Sequence, residues 1–124
     1  WFCWAAWRSS PETWTTLEPA ASGLFLCEAF TSFREAVGAV GFPAWVALGF
    51  QRIWEVEEAV KRLRIPVCVV HSDGDRLFPV AMARRIAEAA GERGELVVVA
   101  GLGHNEPYLR PGEAYWGRIV ERCG

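Results

Sequence analysis

Apolar positions in this chain fall into short unbroken runs that alternate with stretches of helical periodicity. Residues 23–28 (GLFLCE) form a continuous apolar run, too short for a helix and preceded by Ser22, and predict a buried strand. Pro66 starts a second such run to Val70; its fixed φ and missing donor are tolerated at the first residue of a strand. Residues 95–100 form a third. Between the first two, Thr31 or Ser32 can cap a helix through Phe33 and Val37, with Glu35 placed to close a capping box; Gly38, Gly41 and Pro43 then break it. Residues 42–54 are apolar and aromatic without clean periodicity, which predicts either a helix over the core or a flap over a pocket. Residues 55–63 are amphipathic, with Val56, Ala59, Val60 and Leu63 on one face. Pro79 opens a helix over 80–90, where proline suits the first turn, and Gly91 and Gly94 end it. A last amphipathic helix is expected from Pro111, carrying Tyr115, Trp116, Ile119 and Val120.

Fully apolar strands that alternate with helices imply an α/β fold, a parallel sheet covered on both faces. Three parallel strands make an incomplete sheet. One edge should be an apolar pairing surface through which the chain could associate, as expected of a piece of a larger sheet. Residues 1–21 fit no part of this scheme. Tryptophans at 1, 4, 7 and 14, with Pro11 and Pro19, match neither a strand nor a tidy amphipathic helix. Three readings stand: tryptophans packed on the core, an aromatic interaction surface, or coding sequence read out of frame.

A length of 124 residues allows one domain with a real core, and 52% hydrophobic against 23% charged residues makes it globular rather than disordered. A net charge of −2 argues against nucleic acid or an anionic membrane as the main partner. No apolar run approaches the ~20 residues that span a bilayer. Cys3, Cys27, Cys68 and Cys123 show no zinc spacing, and Cys27 and Cys68 sit inside apolar runs. Buried reduced thiols are expected, and with them a reducing, cytoplasmic compartment. The chain starts at Trp1, with no basic segment leading into an apolar one, so no secretory leader and a continuation upstream are expected.

Ligand and catalytic groups in open parallel sheets gather beyond the carboxyl ends of the strands. Glu28, Asp73, Asp75 and His104 all fall there. Each has a plain structural reading. His104 could be a polar loop residue, and Asp75 a turn acid or a cap for the helix at Pro79. Asp73 in Ser-Asp-Gly-Asp reads as a turn former. Glu28 reads as a helix-capping acid or a reserve acid, and His71 as the source of a strand-end hydrogen bond. Jointly, two independent turns supply a carboxylate and a histidine. A histidine acting as general base needs an acceptor at its other ring nitrogen, to fix the tautomer and stabilise the imidazolium.

In this order and spacing the motifs resemble the C-terminal half of the alpha/beta-hydrolase superfamily. P-V-C-V-V-H-S-D-G-D-R-L-F-P over 66–79 is similar to the family's seventh strand and acid turn, with Ser72 in place of the usual glycine. Gly103-His104-Asn105 is similar to the histidine turn after the eighth strand. Residues 23–33, with Phe30-Thr31-Ser32, resemble the sixth strand and following turn of the Bem46-like, serine acyl-hydrolase branch. The resemblance implies a partial alpha/beta-hydrolase fold whose three parallel strands are the last three of the family sheet. It divides the chain into an atypical Trp-rich segment, 1–21, and the C-terminal part of the hydrolase domain, 22–124. It makes Asp75 the acid that orients His104, and His104 the general base; Asp73 does not match the acid position.

The family's nucleophile sits in a G-x-S-x-G elbow. Ser9, Ser10, Ser22, Ser32 and Ser72 all lack the flanking glycines, and so do the cysteines. The resemblance therefore implies a fragment of a serine hydrolase acting on a carboxylic ester, thioester or amide. Its substrate would be a small-molecule or lipid-like acyl compound, and no metal or organic cofactor is implied. The rival expectation is a non-catalytic or degenerate hydrolase-fold module with a binding or structural role.

Overall fold

A computed structural model describes residues 2–3, 23–49, 54–106 and 117 of the chain. The three expected strands are β2 (Leu24–Cys27), β3 (Val67–Ser72) and β4 (Gly94–Val99). To them the structure adds a two-residue strand, β1 (Phe2–Cys3), drawn from the Trp-rich segment. All pairings are parallel, and the order across the sheet is β1-β2-β3-β4. Cys27 lies opposite Val70 and Ser72 opposite Val99, so the carboxyl ends of β2, β3 and β4 stand side by side.

Four helices accompany the strands among the described residues: α1 (Phe33–Ala39), α2 (Ala44–Leu48), α3 (Val56–Arg62) and α4 (Val80–Ala89). Ser32 caps α1, its hydroxyl accepting from the Glu35 N–H at 3.3 Å. The other half of the predicted capping box is rewired, because the Glu35 carboxylate accepts from the Thr31 hydroxyl at 2.7 Å. That carboxylate also meets Arg85, whose second nitrogen reaches Glu57, so one guanidinium ties α4 to α1 and α3. Such exposed pairs contribute only ~0–1 kcal/mol each. Residues 44–48 settle part of the ambiguous 42–54 stretch as a short helix, with Trp45 and Leu48 exposed. The expected C-terminal helix falls outside the described residues, apart from Gly117.

The core follows from the period-two geometry of the strands. Leu24, Leu26, Val67 and Val69 pack with Val56, Ala59, Val60 and Leu63 of the predicted amphipathic stretch and with Ala83, Ile86 and Ala87 of α4. Alternate positions, Phe25, Cys68, Val70 and Val99, form a second cluster. Burial of both sets explains why these strands read as unbroken apolar runs. Each large aliphatic residue so buried contributes about 1.5–3 kcal/mol. Gly94 must stay small, because a Cβ there would collide with the Ala87 carbonyl as β4 leaves α4.

The cysteines depart from expectation. Cys27 stays outside any disulfide, but Cys68 is disulfide-bonded rather than a reduced core thiol. Spacing along a sequence carries no pairing information, whereas folding brings distant thiols into reach. The cysteines therefore lend no support to a reducing compartment. Among the described residues, no helix is long and apolar enough to cross a membrane.

Candidate active site

β3 ends in a tight turn closed by the Asp75 N–H on the Ser72 carbonyl at 3.3 Å. The turn delivers Asp75 to a buried position, and its two oxygens divide the work. Oδ1 accepts from the backbone N–H groups of Leu77 and Phe78, at 2.7 and 2.9 Å. Oδ2 meets Nδ1 of His104 at 2.8 Å. One oxygen thus bonds within the turn before α4, and the other meets the histidine.

His104 sits in the turn after β4, its side chain 23% exposed. Its ring meets Phe78 edge-to-face, with centroids 5.1 Å apart and planes at 87°. An anionic acceptor at Nδ1 calls for a proton there, which leaves the lone pair on Nε2. Among the described residues no hydrogen bond engages Nε2. Asp75 thus orients the ring from its Nδ1 side.

The two turns are joined by more than the acid–histidine bond. Asp73 donates its N–H to the Val99 carbonyl at 3.0 Å and accepts the Gly101 N–H on Oδ1 at 2.7 Å. Gly74 approaches Leu102 so closely that a Cβ would lie 2.7 Å from the Leu102 carbonyl oxygen. Glu106 accepts the Gly103 N–H at 2.7 Å and returns its own N–H to the Gly103 carbonyl at 3.1 Å. Gly101 (φ +79°) and Asn105 (φ +60°) take left-handed conformations open to these residue types. Asp73, read from sequence as a turn former, is also a bracket between turns. The sequence gives no hint of that bracket, since its partner lies 28 residues away. The contribution of Glu106 was likewise missed.

Behind Asp75 lies a second buried carboxyl. Glu28, just past β2 in a left-handed conformation (φ +51°), accepts on Oε1 from the Ser72 N–H at 3.0 Å and from the Ser72 hydroxyl at 2.7 Å. His71 donates from Nε2 to the Phe78 carbonyl at 2.8 Å, the expected strand-end hydrogen bond. That nitrogen is 3.4 Å from Asp75 Oδ2 and 3.9 Å from Glu28 Oε2. The two carboxyls diverge electrostatically. Burial, aided by the adjacent Asp75 carboxylate, pushes Glu28 up to about 7, against the downward pull of Ser72. Burial acts upward on Asp75 as well, but there hydrogen bonds from Glu28, Phe78, His104 and Leu77 outweigh it and hold the group below its ordinary value.

The fold recurs in solved structures. Over 90% of its length the chain superposes on BpoC of Mycobacterium tuberculosis H37Rv, a protein named as a non-heme bromoperoxidase, with a TM-score of 0.61, 15% identity and 60% of that protein covered. The chain has a partial alpha/beta-hydrolase fold. Rv0554 from M. tuberculosis matches equally, with a TM-score of 0.61 and 59% covered. At 15% identity this likeness concerns the fold alone. In sequence, the chain is 38% identical over 96 residues to two uncharacterised proteins, MT2364 of M. tuberculosis strain CDC 1551 / Oshkosh and Rv2307c of strain H37Rv. The match takes in 76% of this chain but 33% of either protein, so the chain spans about a third of the length of these relatives. No family model matches the chain.

Proposed function

We propose that this part of the hydrolase fold carries the acid and the base of a serine-hydrolase site, Asp75 and His104, with the nucleophilic serine supplied by sequence outside these 124 residues. One observation carries the reading: Oδ2 of an anionic, doubly anchored Asp75 lies 2.8 Å from Nδ1 of a histidine whose Nε2 is unengaged among the described residues. The serine hydroxyl adds to the acyl carbonyl while Nε2 takes its proton, and Asp75 stabilises the resulting imidazolium. The same proton passes to the departing alkoxide, thiolate or amine. Water, deprotonated in turn by Nε2, then adds to the acyl carbon, and the acyl–serine bond breaks as that proton returns to the serine oxygen and the acid leaves. The bond broken is that of a carboxylic ester, thioester or amide.

An aromatic chain from His104 through Phe78 and Phe30 to Trp54 favours an apolar acyl group, small or lipid-like. The Phe30-Thr31-Ser32 turn supports placement in the Bem46-like branch. The four-strand order leaves β1 at one edge, where a longer polypeptide would extend the sheet. In a full-length protein carrying a G-x-S-x-G elbow, His104→Ala should lower kcat by about 10⁶-fold and Asp75→Asn by about 10⁴-fold. Near-normal turnover in both variants would refute the assignment and leave a non-catalytic module. Fluorophosphonate should not label the 124-residue chain by itself; labelling would overturn the claim that its serines are not nucleophiles.

A further inference from the structure

The proposed acid–base pair uses one of two buried carboxyl groups, and the other has an unsolved problem. Oε1 of Glu28 is satisfied by Ser72. Oε2 is buried and, as a carboxylate oxygen, has no hydrogen-bond partner. It lies in a cluster whose polar atoms, from Glu28, His71 and Asp75, are all within 4.8 Å of one another. An unpaired anionic oxygen so placed is expensive, and a second anion beside it makes it more so.

A cation shared among the three groups would relieve it, and three are conceivable. A metal ion fits poorly. His71 Nε2 donates to the Phe78 carbonyl at 2.8 Å and so has no lone pair to offer. An extra proton on His71 would go to Nδ1, a buried atom with no partner, and would create a charged donor facing no acceptor. A proton on Glu28 Oε2 meets neither objection. It turns the orphaned acceptor into a donor, with the Asp75 carboxylate in the same 4.8 Å cluster as the available acceptor.

We propose that Glu28 is a positioning residue: a buried carboxylic acid that donates its Oε2 proton to Asp75 and holds that carboxylate against His104. Its catalytic meaning rests on the function proposed above, but the location of the proton does not. The titratable groups facing Glu28 are His71 from β3 and Asp75 from the turn beyond it, with His104 behind Asp75. No lysine or arginine contacts it among the described residues. Its elevation to about 7 populates the acid form up to neutral pH. Above that, Asp75 loses a donor and gains a like charge.

Carboxyl and imidazole NMR of the intact chain tests this directly. Wild-type Glu28 should titrate near pH 7 rather than near 4.5, and the His104 Nδ1 proton resonance should shift over the same range. In Glu28→Gln, whose amide accepts from Ser72 and donates to Asp75 at any pH, that resonance should persist without the shift near pH 7. Glu28→Leu should weaken it even at pH 6. A wild-type titration near 4.5, an unaltered pH profile in Glu28→Gln, or a doubly protonated His71 ring at pH 6 would each overturn the proposal. Stoichiometric zinc shifting Glu28 and His71 together would overturn it in favour of a metal. Should Glu28→Leu fail to fold, the wild-type titration and the amide variant still decide. A Glu28 titrating near 7 beside a fully active His104→Ala in the full-length protein would sink the hydrolase reading and leave this one standing.

Discussion

The acid turn and the histidine turn meet at one hydrogen bond but are held by opposite means. Asp75 is buried and secured locally: its Oδ1 is claimed by backbone N–H groups two and three residues on, inside the same turn. His104 is partly exposed and sits between Gly103 and a left-handed Asn105. Its turn is positioned largely from the β3 side, through Asp73, Gly74 and Asp75 itself. Oδ1 of the carboxylate is therefore fixed within its own segment, whereas the imidazole's turn, closed locally by Glu106, is also tied to the β3 side by non-local contacts. Such an arrangement suits the roles proposed for the pair, a base that passes a proton between two partners while its orienting acid stays still.

The harshest way to break the arrangement is to force the turns apart. In Gly74→Ala the new Cβ would stand 2.7 Å from the Leu102 oxygen and 3.3 Å from its carbonyl carbon, both backbone atoms, so a main chain must shift. We expect a loss of about 2–3 kcal/mol in urea denaturation, typical of overpacking, together with loss of the His104 Nδ1 proton resonance. Stability within about 0.5 kcal/mol of wild type, the range of an ordinary surface change, would show that the two turns are not in tight contact.

A gentler lever is pH, which acts on the acid side through Glu28 and Asp75. Glu28 has a folded value raised from 4.5 to about 7, so its stabilising contribution is complete below 4.5 and is lost as pH climbs through 7. Asp75 has a folded value below 3.8, so its contribution is present above 3.8 and lost as pH falls through the lowered value. The pair therefore favours a mildly acidic optimum. Between pH 5 and 8 wild-type stability should decline by on the order of 1–2 kcal/mol after solvent screening, and Glu28→Gln should flatten the decline. Matching denaturation midpoints for the two proteins at every pH would contradict this account.

How much of this was legible depended on whether a feature was local. The three long strands were plain because each is buried on both faces, and unbroken apolar runs admit little else at that length. Asp75 and His104 could be paired because each closes a strand run in a polar turn, and β3 and β4 prove adjacent. Contacts between segments were out of reach. Nothing around Ser72 indicates that its hydroxyl and N–H serve an acid 44 residues earlier. Nothing in Trp-Phe-Cys-Trp marks Phe2–Cys3 as a strand, since two residues carry no periodicity. Cysteine pairing failed for the same reason: it is a property of the folded neighbourhood of Cys68, not of its spacing.

Asp73 offers the finest test of the contrast, because it touches the histidine turn without touching the histidine. Its side chain is exposed, so removing the acceptor lets water replace it at the Gly101 N–H rather than leaving that donor buried and unpaired. Asp73→Ala should accordingly cost only about 1 kcal/mol of stability. Its backbone bond to Val99 survives the change, so β3 and β4 stay in register. What should change is order in the turn. Faster amide hydrogen exchange is expected at Gly101, Leu102 and Gly103, with Leu77 and Phe78 unaffected. If exchange quickened equally at Leu77 and Phe78, the acid turn would be leaning on its neighbour as much as its neighbour leans on it, and the asymmetry between the two would disappear.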